Sequence, residues 1–74
     1  MQKSIQDWLS KHGLTNFTLD QMNLPMSEID GLDSILIMAL IIEIEELKGG
    51  KIPKEIFLKI SKISINELIL AISS

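Results

Sequence analysis

Residues 30–42 read Asp30-Gly31-Leu32-Asp33-Ser34-Ile35-Leu36-Ile37-Met38-Ala39-Leu40-Ile41-Ile42. A polar turn containing one glycine ends in Asp-Ser, and eight apolar residues follow without a break. Asp and Ser are favoured at helix starts because their side-chain oxygens accept hydrogen bonds from the free N–H groups there. At about 100° per residue, eight apolar positions cover every direction around a helix axis. One side can enter a core, and the others must meet loops, a ligand or another protein. A helix start also carries a partial positive charge, which suits a phosphate. The stretch therefore predicts an apolar helix from Ser34, with the Ser34 hydroxyl on its first turn.

Downstream, Ile37, Leu40, Ile41, Ile44 and Leu47 continue a stripe at helical spacing to about Lys48. Glu43, Glu45 and Glu46 fall on the polar side and read as a solvated face, since no second group of ligands accompanies them to suggest a metal. Gly49-Gly50 stops the helix, and Lys48 suits its negative end. Pro53 fits the first position of a short helical turn, with Ile56 and Phe57 as core plugs. Ser61-Lys62-Ile63 is a connector. Ser64-Ile65-Asn66-Glu67 is a capping box, opening a last helix over about 64–73 whose inner face is Ile65, Leu68, Ile69 and Ile72.

Upstream, Ser4-Ile5-Gln6-Asp7 has cap spacing, and Ile5, Trp8 and Leu9 share one face of a helix over about 4–12, with Trp8 as a core anchor. Gly13 ends it. Leu14 to Gly31 is a long connection, unusual in a small domain unless it folds on itself or works. Phe17, Leu19, Met22, Leu24, Met26 and Ile29 recur through it, so it should pack down, and Thr18-Leu19-Asp20-Gln21 can cap one short turn before Pro25. Gly31 supplies a backbone angle that other residues resist. No segment has strand periodicity. The expectation is an all-α fold: one domain over 1–74, a small bundle of three main helices plus a short helix between the last two.

Composition narrows the function. A chain of 74 residues buries only about 60% of its unfolded surface, so stability of a few kcal/mol is expected. With no cysteine, neither disulfides nor thiolate metal sites can reinforce it. The longest apolar run falls far short of the ~20 residues of a membrane span, and Met1 to Ser10 has no signal-peptide core. A soluble, cytoplasmic protein starting at Met1 is expected. The net charge is −3 and there is no arginine, which argues against nucleic-acid binding. Charge is also segregated: Asp20, Glu28, Asp30, Asp33, Glu43, Glu45 and Glu46 lie between Lys11 and Lys48, a span without lysine, while five of the seven lysines fall between Lys48 and Lys62. Either both faces are merely solvated, or an acidic surface around Ser34 meets basic partners.

Catalytic groups are scarce. His12 is the only histidine and there is no tyrosine. His12 sits beside Gly13, placed to meet the free carbonyls of a helix end. No phosphate-cradling glycine loop occurs, and no catalytic residue or metal ligand is assigned. A hydrolase built on Ser34 would need a base from another segment, His12 being the one imidazole. The plainer alternative makes Ser34 only a helix cap in a non-catalytic helical interaction module.

The pattern Gly31-Leu32-Asp33-Ser34-Ile35 resembles the signature Gly-x-Asp-Ser-apolar of the acyl carrier and peptidyl carrier proteins. The spacing is similar too: about four helical turns after the serine, then a glycine loop (Gly49-Gly50), an Ile-Pro step (Ile52-Pro53), a short helix at Ile56-Phe57 and a final helix opening at Ser64-Ile65-Asn66-Glu67-Leu68. The likeness covers roughly residues 26–72. It implies that a phosphopantetheinyl transferase attaches 4′-phosphopantetheine from coenzyme A to Ser34, with Asp33 in the recognition motif. It also implies a carrier rather than an enzyme, working as a monomer with acyl- or aminoacyl-loading and condensing enzymes. Leu36, Ile37 and Leu40 are then expected on the partner-facing side of the helix, with Ile35 beside the arm. Asp30 stands where the family usually has an apolar residue, and the segment from Pro53 to Ser64 is a residue or two long. Leu36 stands where fatty-acid carriers often have an acid, which leans the implied role toward a polyketide or nonribosomal peptide pathway.

Overall fold

The computed structural model describes residues 1–72. In chain order it contains α1 (Gln2–Lys11), 3₁₀ turns at Leu19–Asn23 and Met26–Glu28, α2 (Ser34–Lys48), α3 (Lys54–Phe57), a 3₁₀ turn at Ile60–Lys62, and α4 (Ile65–Ala71). The fold is an all-α bundle, with α3 as the short helix between the last two long elements. The Cα radius of gyration is 11.0 Å, matching the ~11 Å expected for a compact chain of this length. No helix among the described residues is long and apolar enough to cross a membrane.

Burial follows the helical stripes. Ile5 and Leu9 of α1, Ile37, Leu40, Ile41 and Ile44 of α2, and Ile65 and Leu68 of α4 form one cluster with Ile72. The long connection joins it through Leu14, Phe17, Met22, Met26, Ile29 and Leu32. Leu19 and Leu24, expected to pack down with it, instead sit on its outer side, because a 3₁₀ turn can direct only some of its side chains inward.

The connection meets its own polar needs. The Thr18 N–H donates to Gln21 Oε1 at 2.9 Å, so the expected cap forms. The Met26 N–H donates to the Ile63 carbonyl at 2.9 Å, beside an antiparallel bridge between Pro25 and Ser64. Asn66 Nδ2 donates to Asn23 Oδ1, and Gln2 Nε2 to Asn66 Oδ1, each at 2.7 Å. These bonds tie the loop and the start of α1 to the start of α4. The α4 capping box is present: the Glu67 N–H donates to Ser64 Oγ at 3.1 Å, and the Ser64 N–H to Glu67 Oε1 at 3.2 Å.

Several expectations change. α1 starts a turn earlier than the Ser4 cap implied, because the Ile5 N–H bonds the Met1 carbonyl at 3.1 Å and nothing in Gln2-Lys3 breaks a helix. Trp8 is only half-buried and stacks on His12, with ring centroids 4.0 Å apart. Pro53 precedes α3 as its N-cap rather than opening it. One-turn α3 directs Ile56 toward the core and leaves Phe57 on the rim. Leu47 is exposed because Lys48 takes the inner place in the last turn, where its Nζ donates to the Ile69 carbonyl of α4. The expected extension of α4 to residue 73 lies outside the described residues.

Leu40 has no exposed surface, whereas Ile42 is 55% exposed. Leu40→Ala is expected to lose about 2–5 kcal/mol of stability and Ile42→Ala to stay within about 0.5 kcal/mol of the parent. Urea titration followed by Trp8 fluorescence measures both, and similar losses would mean that α2 is turned about its axis.

Candidate functional site

The approach to α2 is anchored from below. Leu32 is buried, and its N–H donates to the Ile29 carbonyl at 3.2 Å. Gly31 turns the chain at φ +86°, where a Cβ would lie 2.8 Å from Leu14 Cδ1. Glycine is therefore required twice over, by the left-handed angle and by the close approach of a core leucine. With Leu32 fixed on one side and Ile37 on the other, Asp33 and Ser34 are held at the surface.

Asp33 is the N-cap of α2. Its Oδ1 accepts the Leu36 N–H at 2.8 Å, and its carbonyl accepts the Ile37 N–H at 2.9 Å. Ser34 is the first helical residue and is exposed. Among the described residues, the N–H groups of Ser34 and Ile35 have no protein acceptor. They remain open to water or to an anion at the positive end of a fifteen-residue helix. The Ser34 hydroxyl thus stands at the surface beside two unsatisfied donors.

The structure separates the four residues expected to face a partner. Ile35 is 81% exposed and Leu36 is half-buried. Ile37 and Leu40 point the other way: both lie in the core, at 6% and 0% exposure, so neither can meet a partner. The helical period explains the correction, because Ile37 and Leu40 share the inward stripe of Ile41 and Ile44. The outward apolar face consists of Ile35, Met38 and Ile42 instead, at offsets of three and seven, with exposed Glu46 a turn beyond. Met38 and Ile42 were missed because an unbroken apolar run carries no mark of which side faces out. The signal available was the position opposite the stripe that runs on to Ile44.

Other polar groups have structural employment. Glu45 Oε2 accepts the Ile52 N–H at 2.9 Å, so it staples the loop after α2 rather than lying on a solvated face. His12 Nδ1 is 2.8 Å from the Trp8 carbonyl, which places the ring as a donor closing the end of α1. No three His, Asp or Glu side chains converge among the described residues. A cleft of about 440 Å³ opens between the loop after α1 and the turn before α2, bounded by Leu14 to Phe17 on one side and Ile29 to Gly31 on the other.

The structure thus places a surface serine at the start of an otherwise apolar helix, beside a capping aspartate and an outward apolar face. No family model, curated protein or solved structure matches the chain.

Gly13 and Gly31 give a controlled comparison. Both have positive φ, but a Cβ at Gly13 meets nothing within 4 Å. Each substitution to alanine is expected to cost about 1–3 kcal/mol for the backbone angle, with Gly31→Ala the more damaging because the Leu14 methyl must move. Equal shifts in the thermal midpoints of the two variants would contradict that contact.

Proposed function

We propose that this chain is an acyl or aminoacyl carrier protein that bears 4′-phosphopantetheine on Ser34. The observation that carries the reading is the exposed Ser34 hydroxyl on the first turn of α2. The donor set suits the group. The Asp33 side chain turns back to cap Leu36, leaving the Ser34 and Ile35 N–H groups and the helix dipole for a phosphate on the serine oxygen. In the attachment reaction the Ser34 oxygen displaces the nucleotide half of coenzyme A at phosphorus. A pyrophosphate bond breaks, a phosphodiester forms, and a transferase accepts the hydroxyl proton. The bound group supplies a terminal thiol for thioester cargo, which a chain without cysteine cannot provide itself. The protein is the substrate of a phosphopantetheinyl transferase and a cytoplasmic monomer rather than an enzyme.

The partner-facing surface on this reading is Ile35, Leu36, Met38 and Ile42. Its apolar character at Leu36 favours loading and condensing enzymes of a polyketide or nonribosomal peptide pathway, which would dock largely through apolar contact.

Incubating the purified chain with coenzyme A and a broad-specificity transferase is expected to raise its intact mass by one phosphopantetheine, and Ser34→Ala to abolish the gain. A chain that gains no mass, or gains it equally without Ser34, ends the carrier reading.

The outward face of Ile35, Met38 and Ile42 also favours a second reading, an interaction module in which Ser34 is only part of a helix start. It predicts concentration-dependent association in sedimentation velocity, unchanged by Ser34→Ala and disrupted by Leu36→Asp. The carrier reading predicts a monomer under the same conditions.

A further inference from the structure

The lysines that follow α2 have no part in the site at Ser34. Lys51, Lys54, Lys59 and Lys62 are all exposed. Four lysines less Glu55 give residues 51–62 a local charge of +3, in a chain whose net charge is −3. Among the described residues the one ion pair joins Lys3 to Asp7, and the one hydrogen bond from a lysine ammonium is that of Lys48. The four ammonium groups after it have no fixed partner among those residues.

Local structure sets apolar side chains among these charges. The Leu58 N–H donates to the Lys54 carbonyl at 3.1 Å, which carries the coil of α3 on past Phe57. Ile56 and Ile60 pack against the core, and Ile63 is buried in it. Lys54, Leu58 and Lys62 recur at four-residue intervals on the exposed side. Leu58 is 75% exposed, and Phe57 next to it is exposed too. Leu70 of α4, 81% exposed, lines a recess of about 290 Å³ together with Lys59 and Ile56. Glu67 lines that recess as well and lowers the local charge to +2. The surface is therefore basic, with leucines that stand out from it.

We propose that residues 51–62, with Leu70 beside them, form a peripheral contact for an anionic lipid surface. A basic segment carrying exposed apolar side chains gains twice at such a surface, from attraction to the headgroups and from shallow burial of the apolar groups. Charge complementarity alone would also admit an acidic protein, and the shape of this surface favours lipid. Leu58 projects instead of lining a groove, so a protein partner would have to supply a fitted pocket, whereas a headgroup layer accepts a protruding leucine. Lysine is also depleted at protein interfaces. Ammonium groups on long, unheld stems suit phosphates that move laterally, and the stems can lie on apolar surface while the charges stay in water. The contact uses none of Ser34, Ile35, Met38 and Ile42, so it stands or falls separately from the carrier reading.

The test is cosedimentation of the full, unmodified chain with vesicles of phosphatidylcholine alone or of an equimolar mixture with phosphatidylglycerol. The chain is expected on the anionic vesicles only. Raising the salt from about 0.1 M to about 1 M shortens the screening length from about 10 Å to about 3 Å and should release most of it. Lys54→Glu/Lys62→Glu should weaken lipid affinity about tenfold or more, and Leu58→Ser several-fold, both with the circular dichroism of the parent chain. Lys3→Glu/Lys11→Glu changes the net charge equally from α1 and should bind nearly as the parent does. Equal binding to the two vesicle types, no binding to either, or an equal loss in the α1 pair overturns the proposal. Binding to polyglutamate in place of vesicles, lost in the Lys54/Lys62 pair, overturns it in favour of an acidic protein. None of these outcomes bears on the mass gain at Ser34.

Discussion

α2 is apolar on every side over its first two turns, and a chain of 74 residues can bury only one of them. The inward stripe of Ile37, Leu40, Ile41 and Ile44 takes the core, and the rest of the molecule is arranged around it. At roughly 1.5–3 kcal/mol per fully buried aliphatic side chain, this stripe is the largest inward contribution of any helix among the described residues. Its orientation leaves Ile35, Met38 and Ile42 in solvent. The exposed apolar face is thus the geometric remainder of core formation, and it lies beside the serine.

The turn before α2 converts that orientation into a site. Leu32 and Ile37 anchor either end of a short segment, and Gly31 makes the bend that Leu14 leaves room for only when no Cβ is present. Asp33 then satisfies two N–H groups and leaves those of Ser34 and Ile35 open. A helix start whose donors were all capped would offer an anion little, and one with no cap would fray. Asp33 secures the helix while leaving donors free next to the hydroxyl.

The long connection is the structural partner of this site. It returns buried residues to the core at Leu14, Phe17, Met22, Met26 and Ile29; the Met26 N–H, donating to the Ile63 carbonyl, and Asn23 Oδ1, accepting from Asn66, hold it to the approach and start of α4. Its first residues also form one wall of the cleft beside the Gly31 turn. A loop fixed at both ends can present Thr15 and Asn16 in a defined place, although neither belongs to a regular element.

The local signals in the sequence were enough to place most of the helices. Asp33, Gly49 and the Ser64/Glu67 box act through neighbours one to four residues away, so their residue types alone marked where α2 begins and ends and where α4 begins. The exposure of Ser34 was legible for the same reason. Local chemistry did not locate the start of α1, where the Met1 carbonyl acts instead of Ser4, or the side of α2 that faces solvent. An uninterrupted apolar run has no intrinsic inside, so only packing against α1, α4 and the long connection assigned Ile37 and Leu40 to the core and Met38 and Ile42 to the surface. Glu45, Lys48 and Asn66 also found their partners through tertiary structure, because each bonds a group seven to forty-three residues away. The sequence by itself determined most of the helices and the exposed serine at the start of α2; tertiary structure decided which apolar side chains remained outside, since that depends on contacts between segments far apart in the chain.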